Sequence, residues 1–199
     1  MCEKDCFKIL GIADCSIRLQ MERVFEYQKT LNEVQKCLLE FRDERVKKLM
    51  NIIIRQTNKV LGEEWKITDQ ISTGRGYYLL YKKTWSTEWY VHFEWNIKDK
   101  ELFNANSYTL VLHVEGKCKC NEYFTLLNKH LSNENAPIAD VAVKRNVWSY
   151  PFYTENGLSL GEMTEEQIEK YLRTVYLSKD VQSLISVIDA TAIEYKQTQ

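Results

Sequence analysis

Proline and glycine are scarce, at two and seven in 199 residues. So few chain breakers leave little room for long flexible linkers and predict a chain made mostly of regular structure. Long apolar runs are also missing. The stretches at 52–54 and 108–112, the second broken by Thr109, fall far short of the ~20 residues that span a bilayer. No membrane helix is therefore expected, and residues 2–10 are too charged for a signal peptide. Neither sign of charge dominates, with 27 Lys and Arg against 28 Asp and Glu. The balance is +3 over residues 1–62, zero over 63–153 and −4 over 154–199. Such an offset does not demand nucleic acid, although it allows a local basic patch on the first segment. No phosphate loop is present, because Gly74-Arg75-Gly76 lacks the remaining glycines and the Lys-Ser/Thr ending.

What the chain does contain is 44% hydrophobic and 12% aromatic residues, which excludes disorder. Its length suits one large domain, or one domain plus a helical appendage. Six cysteines without a secretory signal read as reduced thiols in a cytoplasm. Between residues 16 and 61 there is neither Gly nor Pro, and apolar or aromatic residues recur at 17, 21, 24, 27, 31, 34, 38, 41, 46, 49, 53 and 60. Steps of mostly three and four make the seam of a coiled coil or a long helical hairpin, with Gly62 as its stop. The mixed charges from Arg42 to Lys48 read as its solvated face.

After Gly62 the pattern becomes β. Residues 65–71, 77–84, 88–97 and 108–115 are rich in aromatic and β-branched side chains, with a turn at 72–76. In the third of these, Trp89, Val91, Phe93 and Trp95 alternate with Tyr90, His92, Glu94 and Asn96, which predicts one buried and one polar face. Short connections imply antiparallel pairing. A helix at 121–131 capped by Asn121, a strand at 138–148, and two closing helices follow. Thr164 and Gln167 form the capping box of the first closing helix, and Asp180 caps the second. The expected fold is α+β: a long N-terminal helix or helical hairpin over 1–62, then an α+β domain over 63–199 whose antiparallel sheet has helices packed on one face.

Two His-x-Glu triplets, His92-Phe93-Glu94 and His113-Val114-Glu115, fall on strands expected to be neighbours. Period two puts each His with its Glu on one face, where two imidazoles and two carboxylates are a possible divalent metal set. The competing reading is an ordinary polar sheet face. Glu115-Gly116-Lys117 also fits the Glu-x-Lys half of a Mg²⁺-dependent nuclease motif, with Glu94 or Asp99 as the first acid and Lys117 to polarise water or phosphate. No Pro-Asp precedes it. Cys118-Lys119-Cys120 has only one residue between its cysteines, and neither it nor the Cys2-x3-Cys6 pair comes with a well-spaced His, which argues against a structural zinc site. Arg75, Lys82 and Lys83 stand beside Trp85, Trp89 and Tyr90, a mixture able to bind protein or to stack the bases of single strands, although aromatics in strands are more often core.

Three segments carry a family resemblance. They are Tyr77 and Tyr78 through Trp85 into Trp89-Tyr90-Val91-His92-Phe93-Glu94-Trp95; residues 108–115 followed by 121–127; and Val147-Trp148-Ser149-Tyr150-Pro151-Phe152 before the closing helices. This order resembles the C-terminal accessory region of bacterial and phage proteins of the PD-(D/E)xK nuclease superfamily, over roughly residues 65–190. The resemblance implies an accessory part without the catalytic part, so that Glu115 and Lys117 would not be catalytic. It points to a binding or regulatory protein in restriction of foreign DNA or its evasion. The leading expectation is thus a non-enzymatic protein without a cofactor, which binds a protein partner or itself through the helical arm, with nucleic acid possible and no membrane role. The alternative is a Mg²⁺-dependent nuclease using Glu94, Glu115 and Lys117.

Overall fold

The computed structural model describes residues 15–72, 76–85, 91–98, 100–114, 121–132 and 146–198, with the side chains of 15–18, 121 and 146 excluded. The element order is helix α1 (Cys15–Leu61), strands β1 (Trp65–Asp69), β2 (Tyr77–Lys82), β3 (Val91–Asn96) and β4 (Ser107–Val114), helix α2 (Asn121–Leu131), strand β5 (Asn146–Tyr153), and helices α3 (Glu165–Tyr176) and α4 (Lys179–Gln197). The fold is α+β, as expected. By its contacts the chain divides into two units, residues 1–45 and 46–199. This boundary falls well before residue 62, because Val46, Leu49, Met50 and Ile53 of α1 are buried in the core of the second unit.

In the first unit, residues 19–45 are helical without a core. Every side chain there is exposed except the half-buried Met21. The helix persists because its sequence lacks breakers and is rich in straight-chain residues that lose little freedom in a helix.

The second unit is a five-stranded antiparallel meander, β1-β2-β3-β4-β5 in spatial as in chain order. Its register puts Trp65, Leu80, Phe93, Leu112 and Trp148 on one face, with Tyr78, Trp95 and Leu110 beside them. The C-terminal turns of α1 and the stripes of α3 and α4 belong to the same core, through Ile168, Leu172, Val175, Val181, Leu184 and Ile188. Each fully buried aliphatic side chain contributes roughly 1.5–3 kcal/mol, so this face is the main source of stability. At its centre Trp95 Nε1 donates to the Tyr176 hydroxyl at 2.9 Å, and the hydroxyls of Tyr176 and Tyr78 bond at 2.7 Å. Tyr78 in turn meets the Thr57 hydroxyl of α1 at 3.4 Å.

The ends of the elements follow local chemistry. Gly62 adopts a left-handed φ of 88° and its N–H bonds the carbonyl of Asn58 at 2.8 Å, closing α1. The capping box at the start of α3 is present: Gln167 N–H reaches Thr164 Oγ1 at 3.3 Å, and Thr164 N–H reaches Gln167 Oε1 at 2.8 Å. The cap of α4 is corrected. Ser178 occupies the N-cap, and Asp180 lies in the first turn, where its charge faces the positive helix end. The expected cap at Asn121 rests on a side chain outside the described residues.

The fifth strand also shifts. It runs past Trp148 to Tyr153 and includes Pro151, which an edge strand tolerates; residues 138–145 lie outside the described residues. The rings of Trp148, Tyr150 and Phe152 follow one another along it, with centroids 6.2 and 5.1 Å apart. Between the pairs Leu112 with Trp148 and His113 with Asn146 the register slips by one residue, leaving Val147 as a β-bulge.

Candidate functional site

Strands β3 and β4 bring three of the four candidate metal ligands together. His92 and His113 are directly opposed in the ladder, with ring centroids 5.1 Å apart, and Glu94 follows two residues after His92. His92 Nε2 lies 3.7 Å from Glu94 Oε2. One ligand atom from each of the three residues lies within 4.8 Å of the other two. Glu115, the fourth candidate, Asp99 and Lys117 lie outside the described residues. Of the nuclease candidates only Glu94 is therefore placed, in the middle of a strand.

The surroundings differ from the polar face that alternation predicts. His92 is only 1% exposed, and Glu94 is flanked in the register by Leu79 of β2 and Val111 of β4, both buried. The signal for these walls is the doubled Leu79 and Leu80 and the unbroken Leu110-Val111-Leu112. Consecutive apolar residues in a strand mark burial on both faces. His113 is half-buried and Glu94 keeps 15% of its side chain exposed, so the cluster reaches the surface from one side.

The basic and aromatic candidates are placed differently. Trp85 is buried and its Nε1 donates to Asp189 Oδ1 of α4 at 2.7 Å. Lys82, 13% exposed, donates to the other oxygen of Asp189 at 2.7 Å, lies 3.4 Å from Glu64, and stands 5.7 Å above the Trp65 ring. These two belong to the packing of the body. Asp189 went unnoticed because it sits next to Ile188 on an otherwise apolar stripe; an acid in that position was the signal. Lys83 is exposed and donates to the Glu63 carbonyl at 2.9 Å. Arg75, Trp89 and Tyr90, like Cys2, Cys6, Cys118 and Cys120, lie outside the described residues.

The helical arm is the other surface with functional potential. From Val24 to Phe41 six apolar residues keep a seven-residue repeat, with Val24, Leu31 and Leu38 at the first core position (a) and Tyr27, Val34 and Phe41 at the second (d), while Phe25 and Leu39 lie outside it. All six are exposed, from 47% at Leu31 to 75% at Tyr27. Beyond Phe41 the repeat ends, since Arg45 and Lys48 take the next two core positions. Among the described residues no helix is long and apolar enough to cross a membrane. In comparisons with protein-family models, curated proteins and solved structures, nothing matches this chain.

Proposed function

We propose that this chain is a non-enzymatic interaction protein that associates with a second copy of itself through the helical arm. The observation that carries the reading is the exposed seam of Val24, Tyr27, Leu31, Val34, Leu38 and Phe41 on a helix without a core of its own. A continuous apolar stripe of this length is a surface that water disfavours and a matching helix covers.

The seam is self-complementary when two copies run antiparallel about a point between residues 32 and 33. The core layers are then Val24 with the partner's Phe41, Tyr27 with the partner's Leu38, and Leu31 with the partner's Val34, so the two largest rings never face their own copies. On one flank Arg23 meets the partner's Glu44 and Thr30 meets the partner's Cys37. On the other flank Gln28 meets the partner's Gln35. A parallel pairing stacks Tyr27 on Tyr27 and Phe41 on Phe41 and places no opposite charges together. Charge and volume thus both favour the antiparallel homodimer.

The test is the mass of the full-length protein by light scattering, together with oxidation of a Thr30→Cys variant. The expected result is a dimer that Leu31→Asp with Leu38→Asp converts to monomer at unchanged helix-to-strand circular dichroism. Peptide mapping should find the introduced thiol bonded to the partner's Cys37. A monomer at all concentrations, or a bond between two copies of the introduced thiol, overturns the reading.

A further inference from the structure

We infer that His92, Glu94 and His113 form a binding site for one divalent transition-metal ion. The argument begins with the spacing of the donor atoms. At 3.7 Å, His92 Nε2 and Glu94 Oε2 stand beyond hydrogen-bond range. Two ligands held ~2.0–2.2 Å from one tetrahedral ion stand about 3.4 Å apart. The third ligand atom, from His113, lies within 4.8 Å of both, so side-chain rotation of roughly 1 Å closes the set around an ion.

The scaffold favours the same conclusion. The three residues come from two adjacent central strands whose register is fixed by Phe93 with Leu112 and Trp95 with Leu110 on the core face. A one-residue slip of either strand would send its ligands to the other face and break up the set, so the packing of the core holds the site in place. Buried Leu79 and Val111 flank Glu94 on the two neighbouring strands, so its carboxylate sits beside apolar walls with 15% of its side chain exposed. An ion supplies the compensating charge in a medium where that attraction is strong. Two neutral imidazoles and one carboxylate match the nitrogen and oxygen preference of zinc, cobalt(II) or iron(II) rather than that of magnesium or calcium. Three protein ligands leave a position for water or an exogenous ligand, on the side where Glu94 and His113 reach the surface.

The chain has three histidines, and the third provides a control. His130 lies on α2 and bonds Glu194 at 2.7 Å. The experiment is a titration of metal-stripped, full-length protein with Co²⁺, followed by competition with Zn²⁺. The expected result is one equivalent of bound Co²⁺ with the visible bands of a four- or five-coordinate nitrogen and oxygen site, displaced by Zn²⁺. Loss of a residue that merely supports a metal ligand costs 10–100-fold in affinity, so His113→Ala and Glu94→Gln should each weaken binding by about a hundredfold or more. His130→Ala should leave it unchanged. If Glu94→Gln does not fold, the half-buried His113→Ala decides the question by itself. Absence of binding, binding indifferent to His113→Ala, or the near-ultraviolet charge-transfer band of a cobalt thiolate overturns the inference. None of these readouts depends on whether the arm dimerises.

Discussion

Trp85 and Asp189 are joined across 104 residues by an indole N–H that donates to a carboxylate oxygen at 2.7 Å. The other oxygen of the same carboxylate takes the ammonium of Lys82, also at 2.7 Å. One acid on α4 thereby satisfies a buried indole and a mostly buried cation that arrive from β2 and the turn after it.

Replacing Asp189 by Ala leaves both donors without this acceptor. A loss of about 1–3 kcal/mol is expected, since a deserted buried donor costs more than an average hydrogen bond contributes. Asp189→Asn, which keeps an acceptor for Trp85 and removes the charge facing Lys82, should lose less. Urea unfolding followed by tryptophan fluorescence checks both.

Alkaline pH should find the tyrosine network. Burial pushes the Tyr176 hydroxyl up to about 12, against the lowering effect of its hydrogen bonds, and burial followed by the charge of Tyr176 raises Tyr78 well above its ordinary value. Burial likewise pushes Tyr108 up to about 12. Below about pH 10 these phenols are protonated in the folded and the unfolded chain alike, and their contribution is fully present. From about pH 10 to about pH 12 the unfolded chain releases protons that the folded chain retains, so stability falls as pH rises. Urea midpoints measured across that window should decline while tyrosinate absorption lags behind that of the unfolded chain. A flat profile would refute this. Tyr176→Phe, which strips Trp95 Nε1 of its acceptor and leaves Tyr78 with Thr57 alone, should cost about 1–3 kcal/mol at neutral pH.

Gly161 is fixed by close approach. A methyl group there would clash with the ring of Phe103 and stand 3.0 Å from the Leu102 carbonyl, the same carbonyl that accepts the Gly161 N–H at 2.7 Å. Gly161→Ala is therefore expected to destabilise by about 1–3 kcal/mol, as overpacking does. Phe103→Leu in the same chain should recover part of the loss, and thermal melts of the single and double variants measure it.

Thr164 offers a smaller effect. Thr164→Ala removes the side-chain half of the capping box, and a loss near 1 kcal/mol is expected. Thr164→Ser should restore most of it in the same denaturation assay.

Elements written in short range were legible in the sequence. The breaker-free run gave α1, Gly62 its end, Thr164 and Gln167 the start of α3, and the aromatic alternation gave β3 with Phe93 and Trp95 inward. Longer-range relations were not. Alternation places His92 and Glu94 on one face, but only the ladder makes His92 and His113 direct partners, because a register slip costs nothing that a single strand can record. The unit boundary after Arg45 was hidden because Val46, Leu49 and Ile53 resume the three-and-four spacing after one longer step from Phe41; the helix pattern alone cannot distinguish a stripe that meets its own sheet from one that meets another molecule. Asp180 looked like a cap because short polar residues suit both the cap and the first turn, and the close Val175-to-Ser178 turn decides between them.

The meander carries a kinetic consequence. Neighbours in the sheet are neighbours in the chain, so β1 to β4 can each join the growing edge soon after they are made, with little loop entropy to overcome, and β5 follows once the connection carrying α2 is made. The contacts of Arg55 with Glu165 and of Lys59 with Glu169, by contrast, span 110 residues each. Apart from what the C-terminal turns of α1 cover, the apolar face of the nascent sheet stays open until α3 and α4 leave the ribosome. During synthesis this protein is thus a sheet awaiting its cover, and a chain truncated before residue 165 is expected to aggregate instead of folding to a smaller version of itself.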